Sequence, residues 1–179
     1  MPALIALALS VGVLAVIDTW LYFGPLASTL VTGLVWISFI AWGCHFHSGG
    51  GTKGSMTTVV CMTWGAIVGM AAVMLASGPF SVLGAAVAPA IAVGLGAAVI
   101  CLSSAIKLLE TIPASVYGFA AIAGPIVLRG DAPESAIVPT VISIVIGAAF
   151  GYVSEMLSNA LTKKGEPSAE ATADPSHAA

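Results

Sequence analysis

Trp42-Gly43-Cys44-His45-Phe46-His47-Ser48-Gly49-Gly50-Gly51-Thr52-Lys53-Gly54 decides how the rest of this sequence is read. Nearly everything on either side is apolar and long enough to cross a bilayer. Within these residues sit two of the three histidines, three successive glycines and a lysine. Gly49-Gly50-Gly51 has no side chain to pack, and ordering three glycines costs much backbone entropy. Two readings follow. The stretch is a cytoplasmic turn between two membrane helices, or a re-entrant, pore-facing element whose irregular backbone lines a cavity and not lipid.

Composition supports the premise shared by both. The chain has 179 residues, 59% of them hydrophobic and 7% charged, and its mean hydropathy is +1.07. A soluble domain carries about 25% charged residues, so there is too little charge here to coat a water-facing surface. The net charge of −3 provides no basic patch for nucleic acid. Cys44, Cys61 and Cys101 lie in or beside apolar segments without metal-like spacing, and read as small core residues. The N-terminus lacks the basic start of a cleavable signal peptide.

Outward from the glycines, the sequence reads as an all-α polytopic membrane bundle of five to six transmembrane segments, one of them broken or re-entrant. The first span, Ala3 to Phe23, has the roughly 20 residues a crossing needs, and Gly24-Pro25 ends it. Asp18 is its one charge. Beside Trp20 and Tyr22 it reads as a headgroup-level residue, or else as a functional carboxylate facing the bundle. The second span runs from Leu26 to Cys44 and the third from Ser55 to Ala76, where Gly65 and Gly69 permit close packing. The fourth, Val82 to Leu109, carries Pro89 and therefore a kink or a short broken start. At its end Lys107 and Glu110 share a helix face and can pair. The fifth, Pro113 to Leu128, is short and interrupted by Gly118, Gly124 and Pro125, the kind of segment that points to a substrate path. The sixth runs from Ala136 to Leu157, with Gly147 and Gly151 in close-packing register. Residues 1–162 form the expected membrane domain, and 163–179 a disordered cytoplasmic tail. With six crossings and the N-terminus inside, Lys53, Lys107, Lys163 and Lys164 fall on the cytoplasmic side and Arg129 outside, as the positive-inside rule requires.

Three blocks carry a resemblance: Ser38 to His47 followed by Gly49-Gly50-Gly51-Thr52-Lys53-Gly54; Ile112-Pro113-Ala114-Ser115-Val116-Tyr117-Gly118-Phe119-Ala120; and Ile146-Gly147-Ala148-Ala149-Phe150-Gly151-Tyr152. Together they resemble a small bacterial inner-membrane family known as domain of unknown function 1097. That resemblance implies a multi-pass inner-membrane protein and supplies no activity. His45 and His47 are not part of the family pattern. More distantly, a glycine-rich turn, a small-residue helix, a long Gly/Ala helix and then Leu-x-x-Ile-Pro are similar to one repeat of bacterial urea channels. A pore of that kind implies two such repeats and therefore two or more copies of this chain.

The expected function is a channel or facilitator for a small polar, neutral, urea-like solute, since no ring of charges is available for ion selection. The alternative is a non-transporting subunit that packs into a larger membrane complex through its small-residue faces. An enzyme is not expected: there is no HExxH, no phosphate-binding loop and no Ser/His/Asp order at believable spacing. Backbone irregularity in two apolar-flanked places puts the expected path between them, along Gly49, Gly50, Gly54, Thr57, Thr58, Thr111, Pro113, Ser115 and Gly118. Asp18, His45, His47 and Glu110 are the polar groups within reach of the membrane. His45 and His47 point apart at i, i+2 and find no third ligand, so no metal and no cofactor are expected. The expected partners are the lipid bilayer, the solute and further copies of the chain as a dimer or trimer.

Overall fold

The structure, a computed structural model, describes residues 1–162, and all of its regular elements are helical. They are α1 (Ala3–Phe23), α2 (Val35–His47), α3 (Gly51–Ser77), α4 (Val87–Ser103), α5 (Ile112–Arg129) and α6 (Pro133–Leu161), with 3-10 turns at Ser81–Leu83 and Lys107–Leu109. Four of them, α1, α3, α5 and α6, are long and apolar enough to cross a membrane. The chain is a polytopic helical membrane protein. The expected tail from 163 onward lies outside the described residues.

Most boundaries follow from local chemistry. α1 stops at Gly24-Pro25, and Gly24 returns its N–H to Trp20 O. Pro89 stands in the first turn of α4, where its missing N–H costs no helix bond, so it starts the helix and does not kink it. Gly130 closes α5 in the left-handed conformation at φ 74°, bonding back to Pro125 O. Two boundaries correct the sequence reading. Residues 26–34, read as the start of the second span, form a series of turns that continues from Gly24-Pro25. Thr29 and Thr32 there spend their hydroxyls on the carbonyls of Leu26, Ala27 and Thr29, and Gly33 sits at φ 70°. Residues 104–109, read as the end of the fourth span, are likewise turns. Lys107 and Glu110 are both exposed and make no ion pair among the described residues.

Packing follows the glycines. A Cβ on Gly65 would collide with Ser115 O, one on Gly118 with Met62 O, and one on Gly147 with Ser38 O. At these three points backbone meets backbone, the contact that small residues permit where no hydrophobic force draws helices together. The crossings also give direction. Along α2, Ser38 meets Gly147 and His45 meets Gly151, so α2 runs parallel to α6. Along α5, Ser115 meets Gly65 and Ile122 meets Gly69, so α5 runs parallel to α3. Meanwhile α3 and α6 are antiparallel: Gly51, at the start of α3, meets Glu155 near the end of α6.

A two-fold relation emerges. α1 packs on α6 as α4 packs on α3; α2 packs on α6 as α5 packs on α3; α3 and α6 pack on each other. The equivalences hold residue by residue. An offset of 82 relates Gly51 to Pro133, Thr58 to Thr140, Gly65 to Gly147 and Gly69 to Gly151. An offset of 77 relates Val35 to Ile112, where α2 and α5 begin, and Ser38 to Ser115. Each half is a helix, a run of turns and two further helices of which the second is the longer, and the two halves run in opposite directions. Gly65 lies fourteen residues into α3 and Gly147 fourteen into α6. Hence α2 and α5 begin partway along the bundle and not at its ends.

Candidate functional site

The buried polar groups divide into a bonded cluster at one end of the bundle and an unbonded set in its middle. At the end, the glycine-rich stretch is a tight turn. Gly49, Gly50 and Gly51 take φ of 88°, 66° and 58°, the left-handed region that favours glycine, and Gly50 returns its N–H to His45 O at 3.0 Å. α3 starts at once, so the stretch is a turn between two helices. His45 is fully buried: its Nε2 stands 3.0 Å from Glu155 Oε2 and its Nδ1 3.0 Å from Ser55 Oγ. Glu155 Oε2 also accepts the Gly51 N–H at 2.6 Å, and Ser55 Oγ lies 3.1 Å from Gly51 O. Only glycine fits at 151, where a Cβ would stand 2.7 Å from the His45 ring. Beside it Trp42 Nε1 donates to Ser154 Oγ at 3.0 Å.

This cluster joins α2, α3 and α6. Chemically it can do two things. With both ring nitrogens protonated, His45 donates to Glu155 and to Ser55, and Ser55 donates to Gly51 O. With one proton, Ser55 donates to Nδ1 while Nε2–H donates to Glu155. His45 stays bonded to Glu155 and Ser55 in both arrangements, and only in the second does Ser55 give up its bond to Gly51 O. An apolar groove of 540 Å³ opens beside Ser55 between α3 and α6, lined among others by Thr52, Met56, Val59, Val145 and Tyr152.

In the middle of the bundle the pattern is reversed. Asp18, Ser38, Thr58, Thr140 and Ser143 are fully buried, and Ser115 and Tyr22 nearly so. By distance and angle, none of their side-chain oxygens has a hydrogen-bond partner among the described residues. Buried polar atoms of native proteins are nearly always paired, and each exception calls for an explanation. Four of these residues form two symmetry-related pairs, Ser38 with Ser115 and Thr58 with Thr140. Both serines stand in the first turn of a short helix whose N-terminus has no side-chain cap. Asp18 therefore faces the interior of the bundle.

Of the path residues expected from the sequence, Thr58 and Ser115 belong to this buried set, while Thr57 and Thr111 are half-buried and Pro113 is exposed. Gly54 packs on His45 O and Gly118 on Met62 O, so these two glycines serve helix contacts. His47 is exposed and sits edge-on to Tyr117 at 5.8 Å. No cluster of three or more His, Cys, Asp or Glu is present among the described residues. Sequence reasoning passed over Glu155, although an ionisable residue in the last span was a signal. It also missed Ser38 and Thr140, which carry no signal until the two halves are aligned, and Ser143, a single hydroxyl in an apolar run.

No curated protein and no solved structure matches the chain. The family model described as "Protein of unknown function (DUF1097)" matches residues 8–159, from the second turn of α1 to the end of α6, and with both inverted halves inside the matched region the chain belongs to that family.

Proposed function

We propose that the protein is a channel or facilitator for a small polar solute, and that the solute passes between the two inverted halves. The observation that carries this reading is the symmetric set of buried, unpartnered hydroxyls, Ser38 with Ser115 and Thr58 with Thr140, beside two helices that start partway along the bundle. Inverted repeats with interrupted helices recur in transporters, whose substrate sites lie at the repeat interface. Hydroxyls without protein partners can exchange hydrogen bonds with a passing neutral solute at little cost. Because both halves are present in one chain, the path needs no second copy. A dimer or trimer then serves stability or lipid sealing. Lys53, Lys163 and Lys164 favour an orientation with the C-terminus in the cytoplasm of the inner membrane.

The alternative, a non-transporting subunit, drew on small-residue faces free to bind a partner. Gly65, Gly69, Gly147 and Gly151 are taken up by contacts within the chain, while Gly12, Gly43, Gly94 and Gly124 are the helical glycines left open to a partner.

Flux through proteoliposomes tests the proposal. Urea, small amides, glycerol and short carboxylates are offered to the wild type and to Thr58→Val and Thr140→Val variants. Valine keeps the shape and removes a hydroxyl that has no partner, so both variants should melt at or above the wild-type temperature. At least one solute should permeate well above the empty-liposome rate with wild type, and at least tenfold more slowly with each variant. Wild-type flux at the empty-liposome rate for every solute would reject the reading.

A further inference from the structure

The two halves close the same junction with different chemistry. By the offsets of 77 and 82, His45, Ser55 and Glu155 correspond to Ile122, Ile137 and Val73. The packing agrees. The His45 ring lies over Gly151, where a Cβ would stand 2.7 Å from it, and Ile122 lies over the equivalent Gly69, where a Cβ would stand 2.6 Å from its Cγ2. Ile122 is fully buried and packs with Val73, Ile137, Ala66 and Ala136 in one apolar cluster. One side of the bundle is thus held by apolar side chains alone. The other is held by an imidazole, a hydroxyl and a carboxylate.

Packing does not require that difference. Apolar side chains in place of a buried ion pair are often neutral or stabilising, and here the second half supplies the apolar version within the same chain. What the polar version adds is a proton that can leave, since histidine ordinarily changes charge between about pH 5 and 8. We propose that His45, Ser55 and Glu155 form a proton-binding site, and that the bound proton sets how firmly the α2–α3 turn is held. With the proton bound, both ring nitrogens donate, to Glu155 Oε2 and to Ser55 Oγ, each at 3.0 Å, and Ser55 donates to Gly51 O at 3.1 Å. Nδ1 is the nitrogen that gives the proton up, because a bare Nε2 would face an ionised carboxylate with no hydrogen between them. Ser55 then turns its only hydrogen to Nδ1. The Gly51 carbonyl loses its bond to the hydroxyl, and Glu155 loses its positive partner.

Water reaches the site at one point. His45 is fully buried, but the Glu155 side chain is 23% exposed, so protons exchange through the carboxylate. Tyr152 of α6 stands edge-on to the imidazole, with ring centres 6.5 Å apart. α3 brings no acidic residue, and its Lys53 is exposed and in no ion pair among the described residues. On α2, Cys44 bonds to Ser48, and His47 turns to Tyr117 of α5. Asp18 of α1 belongs to the set in the middle of the bundle. Glu155 is therefore the carboxylate that answers the charge on His45. The inference does not depend on solute transport.

The test uses the full chain in detergent at fixed ionic strength, its histidine rings labelled with nitrogen-15. Between about pH 5 and 9 the ring signals of His45, identified by their absence from His45→Gln, should pass from the doubly protonated to the Nε2–H form. Over the same range, hydrogen exchange is measured at the amides of Gly50, Gly51 and Gly54, which bond to His45 O, Glu155 Oε2 and Gly50 O. Each rate is divided by that of an unstructured chain at the same pH. Protection should fall about fivefold or more as the proton leaves, the equivalent of one hydrogen bond. In the triple variant His45→Ile, Ser55→Ile, Glu155→Val, which copies the other half, protection should not follow pH. If that variant does not fold, His45→Gln gives the answer, because glutamine can donate to Glu155 but does not titrate. The proposal is overturned if the His45 signals stay unchanged across that range. It is equally overturned if they change while protection stays constant, which would leave the cluster a structural clamp only, or if a folded variant loses protection with pH as the wild type does.

Discussion

A methyl group at position 65, 118 or 147 has nowhere to go. Each would be driven into a carbonyl of the facing helix, and backbone cannot give way as a flexible side chain can. Replacing any of these three glycines by alanine should therefore destabilise the protein by about 1–3 kcal/mol or more through overpacking. Gly12 and Gly94 also lie in helices, on α1 and α4, but a Cβ there meets nothing. Alanine at 12 or 94 should be neutral, or stabilise by up to about 1 kcal/mol from helix propensity. Thermal unfolding in one detergent separates the two groups, and equal melting temperatures across all five variants would contradict the backbone-to-backbone crossings. The same glycines show what was legible at this scale. Gly65 and Gly69, and Gly147 and Gly151, announced close packing by their four-residue spacing. Their partners were not announced, because a serine or an alanine on an apolar helix looks alike whether it faces lipid or backbone.

At the scale of elements, the cluster around His45 does the work of a clamp. It fixes the α2–α3 turn to α6 through the Glu155 carboxylate, which accepts from the His45 ring and from the Gly51 N–H. Glu155→Gln keeps the size and removes the charge. It should lower stability by about 1–3 kcal/mol, the range for a hydrogen bond to a charged group, whereas Lys53→Ala on the exposed face of α3 should stay within about 0.5 kcal/mol. If Glu155→Gln melts with the wild type, the cluster is not holding the turn. The ends of α1 and α5 were readable because Gly24-Pro25 and Gly130 carry backbone signals. The start of α2 was not. Residues 26–34 are as apolar as a helix, and only their hydroxyl bonds to nearby carbonyls and the left-handed Gly33 turn them into a run of turns. With that boundary hidden, α2 looked like a full-length span and its resemblance to the short α5 could not be seen.

For the whole molecule, the inverted pair sets which ends share a side of the membrane. Lys53 stands two residues after Gly51, whose N–H bonds to Glu155, close to the C-terminal end of α6. Ala132 precedes the N-terminus of the same 29-residue helix, and at 1.5 Å per residue that helix spans about 43 Å, more than the hydrocarbon core of a bilayer. The two positions must then lie on opposite sides. Both are exposed, and of the three native cysteines only Cys101 is exposed. Single cysteines at 53 and at 132, introduced into a chain whose three native cysteines are replaced by serine or alanine, should react differently with a membrane-impermeant maleimide in sealed vesicles of one orientation. In right-side-out vesicles the lysine distribution predicts labelling at 132 and protection at 53 until the membrane is opened. Labelling at 53 alone would keep the architecture and reverse the orientation. Labelling of both from one side would contradict the crossing of α6, and with it the opposed halves on which the path between Ser38 and Ser115 depends.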